Sequence, residues 1–235
     1  MKKIKLFALC FISFGLIFTA CKDDDSDKNK EKGYAVNINV VDGAGYDIDS
    51  VRAVLWADIG EEERINLVLT SALYENGNFT ITLPGTIDSK YLSSVSYLSD
   101  VYEGLDITLN ISDPSAMMLN GYVYFAAYKN GKQIGYINYM EKTSYFGDMI
   151  TTYVYLDRPV NVTGQVEMES YGVILKVNSS YVKGWNTDRT KASMTSTEII
   201  MEFVANDVQG LNWYFVELSE GENNAPKPER IILKK

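Results

Sequence analysis

Hydrophobic and polar residues alternate along most of the chain after Gly33. The period of two is clear in Val36, Ile38 and Val40, and it continues through segments 51–57 and 65–69. Successive side chains of a β-strand point to opposite faces of the sheet, so this alternation is typical of half-buried strands. The same reasoning predicts later strands over residues 79–83, 122–128, 133–140, 152–156, 160–166, 172–177, 198–204 and 211–218.

One local connection and one helical segment stand out from this pattern. Asn130 and Gly131 separate two alternating runs, and this pair tolerates the positive backbone dihedrals of a type I′ turn, which predicts a hairpin. Helical spacing is favoured at only one place, with Asp88 or Ser89 as the N-cap. The residues that would share the face of this short helix are Tyr91, Leu92, Val95, Leu98 and Tyr102.

These elements predict an all-β fold with at most one short helix. The length after Gly33 suits two sandwich-like β domains, which we place at residues 34–112 and 113–235. The boundary is expected near Asp113 and Pro114. Arg158 and Pro159 are the alternative joint.

The first 20 residues have the pattern of a secretory signal peptide. Basic residues at the start are followed by an apolar run of 15 residues, 6–20. This run is shorter than the roughly 18 to 20 residues that a membrane-spanning helix requires. It ends in Thr19 and Ala20 directly before Cys21, which resembles the bacterial lipobox although Phe18 departs from that pattern. The resemblance implies that the signal is removed and that Cys21 carries lipid; the alternative is a cleaved signal with Cys21 as a free thiol.

Residues 21–33 are predicted to be a solvated, flexible tether. Nine of these thirteen residues are charged, and none is a large apolar residue that could offset the chain entropy by burial. Lys22 and the acids Asp23, Asp24 and Asp25 resemble the surface-export signal of Bacteroidetes-type lipoproteins. The resemblance implies display on the outer face of the outer membrane. The alternative is that the acids only keep the tether away from an anionic surface.

Composition narrows the possible chemistry. The 235 residues include no histidine, which excludes Ser/His/Asp or Cys/His nucleophilic catalysis and histidine-ligated metal sites. The formal net charge is −9. Removal of the signal takes away three lysines, so 22 − 3 = 19 basic residues oppose 31 acidic ones, a net charge of −12. This charge disfavours nucleic-acid partners.

Two resemblances to known proteins lie beyond the tether. Residues 37–42, 51–55 and 76–84, the last reading NGNFTITLP, are similar to the transthyretin-like, carboxypeptidase-regulatory type of β-sandwich. Residues 128–136, 184–186 and 210–215 resemble parts of small surface lipoproteins of gut-type Bacteroidetes without assigned chemistry. Neither resemblance implies a catalytic residue or a cofactor, and we predict none.

Two acidic groups are the remaining candidates for metal or carboxylate chemistry. Asp42, Asp47 and Asp49 lie in a loop rich in turn-forming residues, and they lack the spacing and the glutamate of an EF-hand. We therefore expect a turn there rather than a calcium site, and we predict no metal ligand. The run of Glu61, Glu62 and Glu63 is expected to be a solvated hairpin tip.

Aromatic residues are the best candidates for ligand binding, because 17 tyrosines and three tryptophans are many for this length. Most should pack in the core, including Trp56 and Trp213. Alternation places Tyr122 and Tyr124 on one strand face, where Tyr136 of the next strand would present its ring outward as well. The candidate ligand-binding residues are Trp185, which we expect exposed in an irregular segment, and Tyr122, Tyr124 and Tyr136.

The sequence thus predicts a non-catalytic, lipid-anchored protein of the cell surface with a binding or adhesion role. Its partners would be the membrane, through the lipid on Cys21, and a glycan or protein ligand. Exposed aromatic rings beside polar side chains suit an accessory role in glycan or peptide capture. The alternatives are an assembly lipoprotein that acts through strand edges and a glycoside hydrolase that uses two carboxylates.

Overall fold

The computed structural model describes residues 32–58, 64–101, 107–143, 147–168, 172–196 and 198–218. The predicted signal peptide (1–20), the predicted lipid attachment residue Cys21 and nearly all of the tether (21–33) lie outside the described residues. The acidic run 61–63 and Tyr102 lie outside them as well. None of the helices in the described part of the chain has the length and apolar character needed to cross a membrane.

The described residues are mostly β-strand, which confirms the predicted all-β class. A single five-residue α-helix, α1 (Tyr97–Val101), and two short 3₁₀ turns are the helical elements in this part of the chain. The strands are β1 (Tyr34–Asn39), β2 (Ser50–Asp58), β3 (Arg64–Leu73), β4 (Asn78–Leu83), β5 (Leu92–Ser94), β6 (Ile107–Ile111), β7 (Met117–Leu119), β8 (Gly121–Lys129), β9 (Lys132–Thr143), β10 (Gly147–Leu156), β11 (Val160–Met168), β12 (Val173–Tyr181), β13 (Gly184–Met194), β14 (Ile199–Ala205) and β15 (Asn212–Glu217).

The strands form two sheets. β1 and β4 pair in a two-stranded antiparallel sheet. The others form one large, curled sheet with the path β3-β2-β8-β9-β10-β13-β14-β12-β11-β6, in which β15 pairs with β9 and β7 joins β5 to β10. β12 and β14 are parallel neighbours.

The predicted domain boundary does not divide the described strands into separate sheets. Across Asp113, β2 pairs with β8 and β6 pairs with β11, and across Arg158, β10 pairs with β13. The described residues from Lys32 onward accordingly belong to one compact unit. The turn-forming residues at Asp113 mark a tight turn rather than a linker, because its carboxylate accepts hydrogen bonds from the Ser115 backbone and hydroxyl.

The main core lies between the two-stranded sheet and the large sheet. Alternate residues of β1 and β4, including Val36 and Ile81, pack into one cluster with Leu55 of β2, Phe125 of β8 and Trp213 of β15. A second cluster fills the other end of the large sheet, where Val154 and Leu156 of β10 meet Val160 and Val162 of β11. The two clusters lie against opposite faces of β10, because consecutive residues such as Tyr153 and Val154 contribute to different clusters.

The predicted hairpin is confirmed, and the predicted helical segment is only partly formed. Asn130 and Gly131 both have positive φ, as a type I′ turn requires, and they join β8 to β9. Asp88 accepts a hydrogen bond from the backbone of Lys90 and so caps a 3₁₀ turn, Ser89–Tyr91. The chain then extends as β5, which pairs with β7, before the short helix α1 begins.

Candidate functional site

Aromatic side chains from three neighbouring strands share one face of the large sheet. Trp56 of β2 lies directly opposite Tyr122 of β8, and Ala126 of β8 lies opposite Tyr136 of β9. Residues opposite each other in an antiparallel pair project to the same face, and so do residues two apart in one strand. Trp56, Tyr122, Tyr124 and Tyr136 therefore line up on one face, and we call them the aromatic strip.

The rings of the aromatic strip contact each other in sequence. Trp56 stacks on Tyr122 with 5.3 Å between ring centroids and 24° between ring planes. Tyr122 is 6.3 Å from Tyr124, and Tyr124 meets Tyr136 edge to face at 5.7 Å. The strip is thus a continuous aromatic surface, and 37% of Tyr122 is exposed to solvent.

A cleft opens beside the strip because three strands diverge there. β9 pairs with β8 as far as Ile137, opposite Phe125, and pairs with β10 from Tyr139 onward. β10 also pairs with β8 at one position, where Tyr153 lies opposite Val123. The fork encloses a cavity of about 490 Å³, which we call the aromatic cleft. This volume lies within the range of small-ligand pockets, roughly 300 to 1,000 Å³.

The lining of the aromatic cleft is aromatic and neutral. The aromatic strip forms one wall, and the amides of Asn66, Gln133 and Asn138 line it with the hydroxyls of Thr151 and Thr152. No charged side chain is among the described lining residues. Residues of the main core also line the cleft: Val123, Phe125, Ile137, Tyr153 and Trp213.

Two polar groups of the aromatic cleft have no hydrogen-bond partner among the described residues. These are Nε2 of Gln133 and Oγ1 of Thr151. Thr151 as a whole is only 4% exposed. An unsatisfied buried polar group costs about 1 to 3 kcal/mol, so native proteins retain few of them. Both atoms are themselves shielded from solvent, so a ligand in the cleft could bond to them only after these side chains turned toward it.

The hydroxyls of Tyr122 and Tyr124 stay protonated over the physiological pH range. Burial is the main cause that raises the pKa of Tyr124 and of Tyr122. The neighbouring Tyr136 hydroxyl raises both pKa values further. The Tyr124 hydroxyl donates to Oδ1 of Asn66 at 3.2 Å, which fixes the orientation of that amide. The cleft therefore offers neutral donors and acceptors whose state does not change near pH 7.

No protein-family model, curated protein or solved structure matches this chain.

The structure brings together three of the four predicted ligand-binding residues. Tyr122, Tyr124 and Tyr136 form the aromatic strip as alternation predicted. The prediction of an exposed Trp185 is wrong: this residue lies in β13, is 5% exposed, and its indole Nε1 donates to the carbonyl oxygen of Pro84 at 2.7 Å. Its neighbours Gly184 and Asn186 suggested an irregular segment, but β13 pairs there with β10, and Trp185 packs into the main core against Tyr155.

Sequence reasoning missed several residues of the site. Trp56 was expected in the core but is half-buried in the strip, whereas Trp213 is buried as predicted. The alternation of β2 carried the signal for Trp56, because Leu55 and Ala57 occupy the core face. No sequence pattern marked the other missed residues as part of a site, because only the pairing of distant strands brings them to the cleft. These residues are Asn66, Gln133 and Thr151.

Two of the three aspartates considered for calcium, Asp47 and Asp49, have another role, while Asp42 directly precedes a 3₁₀ turn, Gly43–Gly45. Nζ of Lys129 lies 2.6 Å from Oδ1 of Asp47 and 2.9 Å from Oδ1 of Asp49. The second carboxylate oxygen of Asp49 accepts the backbone N–H of Asn130, and these contacts lower the pKa of Asp49. Asp47 and Asp49 thus hold the hairpin turn between β8 and β9.

Proposed function

We propose that this chain is a lipid-anchored cell-surface protein that binds a neutral glycan in the aromatic cleft without converting it. The observation that carries the proposal is the combination of contiguous rings with neutral amide and hydroxyl residues around one cavity. Aromatic faces pack on the apolar faces of sugar rings, while amides and hydroxyls bond to the sugar hydroxyls.

The lining chemistry favours a glycan over the other predicted ligands and roles. A peptide carries charged termini and side chains, and the described lining offers them no ion pair. A glycoside hydrolase of the usual type requires two carboxyl groups beside the scissile bond. Among the described lining residues of the aromatic cleft there is no carboxylate. We therefore favour binding over catalysis at this place.

The proposed location rests on the sequence. The lipobox-like residues before Cys21, the acidic run after it and the charged tether support a lipid anchor with surface display. Two or three acyl chains hold a protein at the membrane essentially permanently, since each buried methylene contributes about 0.8 kcal/mol. The β unit would then carry the cleft at the end of a tether, outside the cell.

A matched pair of variants tests the proposal. Tyr122 and Tyr46 are both 37% exposed, but only Tyr122 lines the aromatic cleft, whereas Tyr46 packs on Phe215. We would screen the mature protein on a glycan array and measure the affinity of neutral hits by calorimetry. We expect Tyr122→Ala to weaken binding about tenfold or more, and Tyr46→Ala to leave it within about twofold.

Several outcomes would contradict the proposal. Failure of the unmodified protein to bind any neutral glycan would overturn it, as would equal losses in the two variants. Release of reducing sugars from a bound glycan would favour the glycoside hydrolase alternative. Circular dichroism and thermal unfolding of each variant would show that the fold is retained.

A further inference from the structure

A second cavity adjoins the aromatic cleft. It has a volume of about 290 Å³ and lies between the segment from β5 to α1 and the strands β8, β10 and β13. Tyr122 and Thr152 line both cavities. A ligand that rests on the aromatic strip therefore has a neighbouring space into which one end can extend.

Among the described residues that line this second cavity, Asp188 is the only one with a charged side chain. It lies opposite Thr152 in the antiparallel pairing of β13 with β10, so both side chains project to the same face of the sheet. The carboxyl group of Asp188 is thus placed one strand away from a residue shared with the aromatic cleft.

The Asp188 carboxylate lacks a positive partner within the described residues. Its Oδ1 accepts one hydrogen bond, from the Tyr181 hydroxyl at 3.2 Å, and no lysine or arginine of the described chain forms an ion pair with it. The titratable residues that line the cavity with it are Tyr97 and Tyr122. Arg189 projects to the other face of the sheet and pairs with Glu141 and Asp207.

The charge state of Asp188 changes between acidic and neutral pH. Burial raises its pKa to about 6, and the hydrogen bond from Tyr181 opposes this increase. At pH 7 the group is predominantly deprotonated, and it is then a partly buried negative charge without a counter-ion. Such a group is costly unless a cation or further donors compensate it.

We propose that the second cavity is a subsite for the amino group of an amino sugar, with the Asp188 carboxylate accepting hydrogen bonds from the ammonium. This inference rests on the proposed function, because it assigns one residue of a glycan whose neutral part lies on the aromatic strip. An ammonium supplies both the positive charge and the donors that Asp188 lacks. A sugar hydroxyl would supply only a donor.

Oligomers of glucosamine and of N-acetylglucosamine of equal length test the subsite, because they share one sugar skeleton and differ in the nitrogen, a protonable amine in one and an uncharged acetamide in the other. We would measure their affinities by calorimetry at pH 7.0 and pH 4.5 for the unmodified mature protein and for Asp188→Asn. At pH 7.0 we expect the unmodified protein to prefer the amine about tenfold or more, a preference typical of one charge-assisted hydrogen bond. The preference should disappear in Asp188→Asn and shrink at pH 4.5, where Asp188 is protonated.

A control separates the subsite from general attraction of cations to an acidic protein. Asp47 has a side chain that is 85% exposed and lies in neither cavity, so Asp47→Asn removes the same charge elsewhere. Its amine preference should match that of the unmodified protein.

The outcomes distinguish the subsite from the glycan-binding proposal. Binding of neutral glycans without any amine preference, or equal losses in Asp188→Asn and Asp47→Asn, would overturn the subsite and leave the glycan proposal standing. Amine binding that requires Asp188 but not Tyr122, without binding of neutral glycans, would overturn the aromatic cleft as the main site. Failure to bind either oligomer or any neutral glycan would overturn both.

Discussion

The indole nitrogen of Trp185 donates a hydrogen bond to the carbonyl oxygen of Pro84 at 2.7 Å, although the two residues are 101 positions apart. Pro84 directly follows β4, and Trp185 belongs to β13 of the large sheet. The ring of Trp185 also meets Tyr155 edge to face at 5.5 Å. This contact joins the end of the two-stranded sheet to the large sheet, so Trp185 has a structural role.

Trp185→Phe should destabilise the fold and leave ligand binding intact. The variant keeps most of the apolar volume but removes the donor, so the Pro84 carbonyl loses its partner. We expect the free energy of unfolding to fall by about 1 to 3 kcal/mol. Urea denaturation measures this change.

Trp56→Phe is the matched comparison, because Trp56 is half-buried in the aromatic strip. It should weaken glycan binding and change the stability by less than Trp185→Phe does. If Trp185→Phe instead weakened glycan binding more than Trp56→Phe did, Trp185 and not the strip would carry the ligand.

Arg189→Ala should destabilise the protein. The guanidinium of Arg189 is 4% exposed and bonds to Glu141, to Asp207 and to the carbonyl oxygen of Gln209. Its removal deletes these bonds, and a hydrogen bond to a charged group contributes about 1.5 to 3 kcal/mol. The carboxylates left behind are partly exposed and Asp207 keeps Lys191, so we expect a loss near that size rather than the larger cost of an isolated buried charge. Equilibrium unfolding at pH 7 tests the expectation. Arg189→Lys keeps the charge with fewer donors and should recover part of the loss; an alanine variant as stable as the unmodified protein would contradict it.

Asp188→Asn should remove one component of the pH dependence of stability. The native pKa of Asp188 lies above the ordinary value of 3.8, so the native state holds this proton more tightly than the unfolded chain does. Its contribution is fully present below about pH 4 and is lost as the pH rises through 6. The loss is on the order of 2 to 3 kcal/mol.

The difference in unfolding free energy between the two proteins isolates this group, since Asp207 and the other acids are unchanged. Urea denaturation from pH 4 to pH 7.5 should therefore show the Asn variant gaining stability relative to the unmodified protein. A difference that stays constant with pH would contradict the assignment.

Gly121→Ala should disrupt the pairing of β2 with β8. Gly121 begins β8 with φ +150, and an added Cβ would collide with the carbonyl oxygen of Trp56. The backbone atoms of β2 cannot move aside without loss of strand pairing. We expect a loss of stability of about 1 to 3 kcal/mol and weaker glycan binding, because Trp56 and Tyr122 would separate. Gly131→Ala, whose Cβ meets open space, tests whether positive φ alone accounts for the loss.

Cys21→Ser should abolish membrane attachment. The sequence predicts that the lipid is attached at this residue, and a serine cannot carry the thioether. Growth with a labelled fatty acid should label the unmodified protein only. In cell fractionation, the unmodified protein should stay with the membranes and the variant should appear in the soluble fraction. Protease treatment of intact cells tests surface display: digestion of the β unit is expected, and full protection would place it on the periplasmic side.

Local patterns were sufficient to predict the strands that have a core face and a polar face. β1, β2 and β4 follow the alternation, and Asn130–Gly131 selects the turn because few residue pairs tolerate two positive φ values. β13 and the short strands β5, β6 and β7 were missed. β13 carries the polar residues Asn186, Thr187 and Arg189 at buried positions, so no hydrophobic pattern identifies it as a strand. The partners of Arg189 and of the Thr187 backbone, Gln209 and Asn206, come from a segment about 20 residues away.

The sequence alone determined which tyrosines share a strand face, because side-chain alternation is a property of the strand itself. It also determined the absence of histidine chemistry. Only the tertiary structure decided that Trp56 joins those tyrosines, that Trp185 is buried, and that Asp188 lies beside the aromatic cleft. These placements depend on the pairing of β2 with β8 and of β10 with β13, contacts between residues far apart in the chain. Such pairings are selected by the packing of the whole sheet, and alternation within one strand does not specify its partner.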